Sequence, residues 1–355
     1  MNTDQPYSSA EDSGSFPRGR SDPEIWEFVL RYAVRAPSGH NTQPWRFAIN
    51  DDLLHLYADR SRRLPVVDPD DRALVISCGA ALAHLTAALR HFGYAGDPTP
   101  FPDPADPDLL ATVGLGSTHT PQPGDHELFE AIDTRHTHRA AFEPRPIPHP
   151  ILAQLTRDSE EAGAAVHMFT GDEPQAALAK LVAEGDRTQF SDAGFRRELA
   201  AWVRPNHTRR PDGVPGYAFG ISDLPSMLGP TMIAAFDTGA KQAKKDEQLA
   251  VTAPALIVLS TAGDTPSDWL AAGQAVAVLL LRATAHGLVA SFLNQPIEVP
   301  ALRVRMRDLL GTSHSPQLLL RVGYGANDRS TSRPTPRRTV ADVLADTPTS
   351  TGSSS

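Results

Sequence analysis

Two stretches decide how this chain folds: "CGAALAHLTAALRHFGYAG" at 78–96 and "AGQAVAVLLLRATAHGLVA" at 272–290. Each reads as a helix of small and aliphatic residues, and side by side they look like two versions of one element. The apolar strands "LLATVGLG" (109–116) and "LLLRVGYG" (318–325) match in the same way. A degenerate internal duplication is the simplest account.

The surrounding grammar repeats as well. A helix opens at "SDPEIWEFVLRYAV" (21–34), where Ser21 and Glu24 fit a capping box and Asp22 with Pro23 fits as an alternative start. Alternating strands follow at Arg46–Asn50 and Leu54–Asp59, joined by turn residues. The small-residue helix spans 70–92, with "DPDD" (68–71) as its acidic cap, and a Pro-rich stretch leads to the next strand. The second half offers helices at 126–136, 149–163 and 267–287, and strands at 164–172, 254–264, 288–293 and 316–325. The expected organisation is a first half over 21–120 and a second over 121–344, with disordered ends at 1–20 and 345–355.

With 355 residues, 40% hydrophobic and 21% charged, the composition is that of a soluble globular protein. The net charge of −9 gives no attraction to nucleic acid or anionic membrane. A lone cysteine, Cys78, excludes an internal disulfide and reads as a buried, inert thiol. The N-terminal stretch lacks an apolar h-region, and the longest apolar run, Ala275–Leu281, is too short to span a bilayer. A cytoplasmic protein is expected.

The halves differ where chemistry is carried. Between its helix and strand the first half has "APSGHNTQPWRF" (36–47); the second has only "EAGAAVHMF" (161–169). Conversely "TRHTHRAAF" (134–142) has no counterpart in the first half. Arg135, Thr137 and Arg139 alternate, so in an extended stretch they project to one side, as a phosphate grip of two guanidinium groups and a hydroxyl requires. Arg337, beyond the closing strand, is a candidate third cation. In the loop, Ser38, Asn41 and Gln43 bring short polar groups, while Pro37 and Gly39 favour close backbone approach. The bland alternatives are a helix stop with Trp45 as core anchor, and a solvated charged face for the arginines. His136 and His138 lack any companion metal motif, and "GLGSTH" (114–119) lacks the third glycine and the helix of a dinucleotide fingerprint.

These motifs resemble the nitroreductase family of flavoproteins. "RHTHR" (135–139) is similar to its Arg-x-Ser-x-Arg segment, and "APSGHNTQPW" (36–45) to its A-P-S-x-x-N-x-Q-P-W segment. "RVGYG" and "TPRRTVADVL" (335–344) are similar to its closing pattern. The resemblance covers 22–344 and looks like two units fused, as in the mycobacterial Acg-like branch. It implies an α+β, nitroreductase-like fold: two degenerate α/β halves with antiparallel-rich sheets, packed as an intramolecular pseudo-dimer. It also implies FMN bound between the halves, the loop coming from one and the arginines from the other. Only one combination has both, so one FMN per monomeric chain is expected. Hydride transfer through flavin N5, between NAD(P)H and a nitro, quinone-like or other small acceptor, is the implied activity; flavin sequestration is the alternative. In "SFLNQP" (291–296), Leu293 and Asn294 would pass over the flavin's far edge or simply pack. The Gly- and Pro-rich segment 202–232 reads as a lid, with Tyr217 and Phe219 nearest the ring, or as a structural arm.

Overall fold

Two four-stranded antiparallel sheets with one shared strand order organise the chain, which a computed structural model describes over residues 16–50, 52–219, 223–325 and 334–345. The first half runs α1 (Asp22–Ala33), β1 (Trp45–Asn50), β2 (Leu53–Ala58), α2 (Arg72–Phe92), β3 (Pro98–Pro100) and β4 (Leu109–Gly114). Next come α3 (Pro123–Thr134), α4 (His149–Glu161) and β5 (Ala165–Phe169). An inserted block then holds α5 (Asp172–Ser191), α6 (Ala193–Trp202), short β6 (Val203–Arg204) and β7 (Val214–Pro215), α7 (Asp223–Ala235) and α8 (Gly239–Val251). The second sheet resumes with β8 (Ala255–Thr261), then α9 (Pro266–Ala285), β9 (Val289–Phe292), α10 (Gln295–Glu298), α11 (Pro300–Leu310) and β10 (Ser315–Gly323); α12 (Val340–Val343) follows.

The sheet orders are β1-β2-β4-β3 and β5-β8-β10-β9, with α2 and α9 at equivalent crossovers. The inserted block sits where the first half pairs Asn50 with Leu53 across a tight hairpin. Strand β8 is buried at every position because both its faces are covered. Ile257 and Leu259 pack in one cluster with α9, while Leu256 and Val258 pack in another with α5.

Helices α2 and α9 cross at two glycines. A Cβ on Gly79 would lie 3.0 Å from Gly273 Cα and against the Leu270 carbonyl. A Cβ on Gly273 would lie 2.9 Å from Gly79 Cα and against the Ile76 carbonyl. The contact is reciprocal, residue for residue, as a twofold contact must be. By length and composition α2 could cross a membrane, but 89% of its apolar window is buried here.

The ends differ from expectation. Phe16, placed by sequence in a disordered terminus, is buried and stacks on Phe92 at 4.2 Å. Residues 1–15 and 346–355 lie outside the described residues. At the other end Ala345 N–H donates to the Phe47 carbonyl, extending the edge of β1. The segment 202–232 is not a plain loop: α7 begins within it and continues to Ala235.

A buried acid lies where α5, α8 and α10 meet. Gln295 Nε2 donates to Asp186 (3.2 Å) and Asp246 (3.0 Å). Asp186 Oδ2 and Gln295 Oε1 are buried without partners. Burial, then the Asp246 charge, pushes the Asp186 carboxyl up to about 8. Burial therefore favours the neutral form of the Asp186 carboxyl in the folded state. The folded state therefore binds more protons than the unfolded one between pH 4 and 8, and stability falls as pH rises through that window. The melting temperature is expected to drop between pH 5 and 8.5, and to drop less in Asp186→Asn; equal slopes would refute the assignment.

Candidate functional site

The loop between α1 and β1 is strained: His40, Asn41 and Gln43 have φ of 48°, 55° and 53°. Left-handed backbone costs about 1–2 kcal/mol for an ordinary L-residue, so surrounding contacts must enforce it. They do. Asn41 Nδ2 donates to the carbonyls of Gly213 (2.9 Å) and Pro336 (3.0 Å), and Gly213 N–H returns a bond to the Asn41 carbonyl. Gln43 Nε2 donates to the Pro211 carbonyl (2.8 Å), and its Oε1 accepts from Arg338 N–H (2.8 Å). Ser38 Oγ accepts from Gln43 N–H, and Gly39 N–H donates to Ser77 Oγ. Pro37 is buried beside them. Asn41 and Gln43, read from sequence as ligand donors, thus serve as clasps to the inserted segment and the C-terminal arm.

Three guanidinium groups meet this loop. Arg337 Nη1 donates to Asn41 Oδ1 (2.9 Å) and Thr335 Oγ1 (2.6 Å), and its Nη2 reaches the Arg35 carbonyl at 3.4 Å. Arg135, at the C-cap of α3, is buried and donates to the same carbonyl at 3.4 Å. Half-buried Arg139 lies over the Phe219 ring at 5.1 Å and acts electrostatically on His40. Arg321, fully buried, fixes this strand by donating to the carbonyls of His138 and Ala140, which flank Arg139. Burial holds Arg135 and Arg139 at about 10; burial, with Arg135 and Arg35 nearby, holds Arg337 at about 9.

Among the described residues no carboxylate is bound to any of the three. Asp133, the acid beside them, is committed to Arg35. The Nε atoms of Arg135 and Arg337 are buried without partners. Cationic groups partly or wholly withdrawn from water and left uncompensated are costly, and such a cluster has the charge and donors to hold a multiply charged anion.

The inserted segment closes over this centre. Tyr217 N–H donates to Asn206 Oδ1 (2.6 Å) and its hydroxyl to the Pro334 carbonyl (2.9 Å). Asp212 accepts from both Arg62 and Arg204. Thr137 runs alongside Ala290 in an isolated bridge, on the strand that carries Arg135 and Arg139. Neither Leu293 nor Asn294 touches these arginines: Leu293 is buried with Ile297, Leu302 and Met306, and Asn294 Oδ1 accepts from Leu319 N–H. Sequence reading passed over Arg35, His40 and Arg338; the first two adjoin or lie within the quoted loop and were visible there.

The chain belongs to the nitroreductase family, whose sequence profile, "Nitroreductase family", matches residues 132–324. It is 34% identical over 337 residues to the Mycobacterium tuberculosis protein "Putative NAD(P)H nitroreductase Rv3131", covering 91% of this chain and 92% of that one. The same organism's "Putative NAD(P)H nitroreductase acg" is 28% identical over 322 residues, covering 90% and 95%. Among solved structures, the FMN-dependent nitroreductase NfnB from Mycobacterium smegmatis, in complex with NADPH, matches at 18% identity and a TM-score of 0.42. That match covers 62% of this chain and 98% of NfnB.

Proposed function

We propose that this chain binds one FMN between its halves and acts, as a monomer, in hydride transfer between NAD(P)H and a small nitro, quinone-like or other organic acceptor. The observation that carries the reading is the convergence of Arg135, Arg139 and Arg337, none of them bound to a carboxylate, on the loop at 35–43. A phosphate monoester brings up to two negative charges and several acceptor oxygens, which such a set matches. The unpartnered Nε atoms supply donors, and the hydroxyls of Ser38 and Thr137 are at hand on the two flanking segments. When bound, FMN supplies the hydride chemistry at N5. The chain's part is to grip the phosphate, orient the nucleotide and exclude water beneath the inserted segment. The shared strand order and the Gly79–Gly273 crossing support reading the halves as a duplicated unit, with one complete site because each half keeps a different component.

A second reading, flavin sequestration without turnover, is favoured by one feature. The inserted segment is fastened to the loop itself through Asn41–Gly213 and Gln43–Pro211. Anaerobic mixing of the flavin-loaded protein with NADPH and NADH separates the two. Bleaching of the flavin band is the expected result; an unchanged spectrum with photoreduction intact would establish storage instead.

A further inference from the structure

We propose that Arg35 is a positioning residue of the anion cage: its carbonyl holds Arg135 and Arg337 side by side, while its side chain cancels the charge of Asp133, a buried carboxylate that would otherwise compete with the ligand for them. The inference rests on the FMN reading. Arg35 lies just past the end of α1. Its carbonyl accepts from Nη2 of Arg135 and from Nη2 of Arg337, each at 3.4 Å. Its guanidinium forms an ion pair with Asp133. That acid sits in the last turn of α3, two residues before Arg135 at the C-cap. Both Asp133 carboxylate oxygens are buried, and among the described residues Arg35 is the one cation paired with them. A single residue therefore touches both parties, two cage arginines through its main chain and the buried acid through its side chain.

The two contacts differ in their effect. A carbonyl orients a guanidinium and leaves its charge available to a ligand, whereas a carboxylate orients it and neutralises it. The other acceptors of Arg337 obey the same rule: Asn41 Oδ1, Thr335 Oγ1 and the carbonyls of Thr335 and Pro336. Asp133 is the one acid that could break it, and Arg35 is its counter-ion. Without the Arg35 side chain a buried negative charge remains within one residue's span of Arg135 and Arg337, and these become its counter-ions in place of a phosphate. The device also joins the halves, since Arg35 belongs to the first and Asp133, Arg135 and Arg337 to the second.

The test measures FMN and riboflavin binding by fluorescence quenching for the wild type, Arg35→Gln, Asp133→Asn and the double variant. Only FMN carries the phosphate, so the FMN-to-riboflavin preference isolates the cage. In Arg35→Gln the preference is expected to fall about tenfold or more, the scale of one uncompensated charge at short range, with riboflavin affinity unchanged. Asp133→Asn should keep or raise the preference, because it removes the competing acid. The double variant should return close to the wild type, a recovery that a purely structural ion pair would not give. An unaltered preference in Arg35→Gln, or a double variant as poor as that single one, overturns the inference alone. If Arg35→Gln fails to fold, the other two variants decide: a preference at or above that of the wild type in both supports the inference, and a loss in either overturns it. A wild type that binds neither flavin, or binds FMN no better than riboflavin, overturns the FMN reading and this inference with it.

Discussion

Replacing Arg135 and Arg139 together by alanine is expected to strip the protein of FMN while leaving it folded. Each hydrogen bond to a charged group contributes about 1.5–3 kcal/mol, so losing two should weaken binding roughly 10²- to 10⁴-fold. The ligand-free protein should respond in the opposite direction. Burial depresses both guanidinium groups, which means the folded state without ligand pays for holding them charged at neutral pH. Their removal should leave the melting temperature of the flavin-free protein unchanged or raised, whereas added FMN should stabilise only the wild type. Equilibrium dialysis and thermal melts with and without FMN read both effects. A double variant that keeps its flavin would show that these arginines are not the phosphate grip.

Gly79→Ala and Gly273→Ala are each expected to destabilise the protein by about 3 kcal/mol or more, by overpacking against backbone that cannot yield as a side chain does. The added methyl in either case meets a carbonyl of the opposite helix. Because the contact is reciprocal, the two penalties should be similar, and the double variant should cost less than their sum, since the first substitution already spreads the helices. Urea unfolding of the three variants measures this. A Gly79→Ala protein as stable as the wild type would mean that the crossing does not depend on glycine.

Much of this architecture could be read directly. The hairpin of β1 and β2, the long α2 and α9, and the uninterrupted strand β8 all announce themselves by period and by flanking turn residues. What escaped is instructive. In α7, Pro225, Gly229 and Pro230 are all breaker signals, yet tertiary packing against α6 and the Gly216–Phe219 turn sustains the helix. Helix α11 carried the opposite lesson: Pro300 at its start and Gly311 in the left-handed conformation after its end are ordinary helix punctuation. At the site, residue type named Asn41, Gln43 and the arginines correctly as a polar cluster, but not the division of labour. Whether an amide faces a ligand or a neighbouring carbonyl depends on segments far away in sequence, here 211–213 and 336–338.

The bond between Arg337 and Asn41 joins positions 296 residues apart. Closure over so long a span comes late on any folding route, since the entropy of bringing distant segments together is lost before their contacts compensate. A nucleotide held as proposed, by both ends, would not template the early steps. It would lock only a chain that has already assembled, so on this reading cofactor retention would report on finished folding, and a truncated chain is expected to emerge colourless.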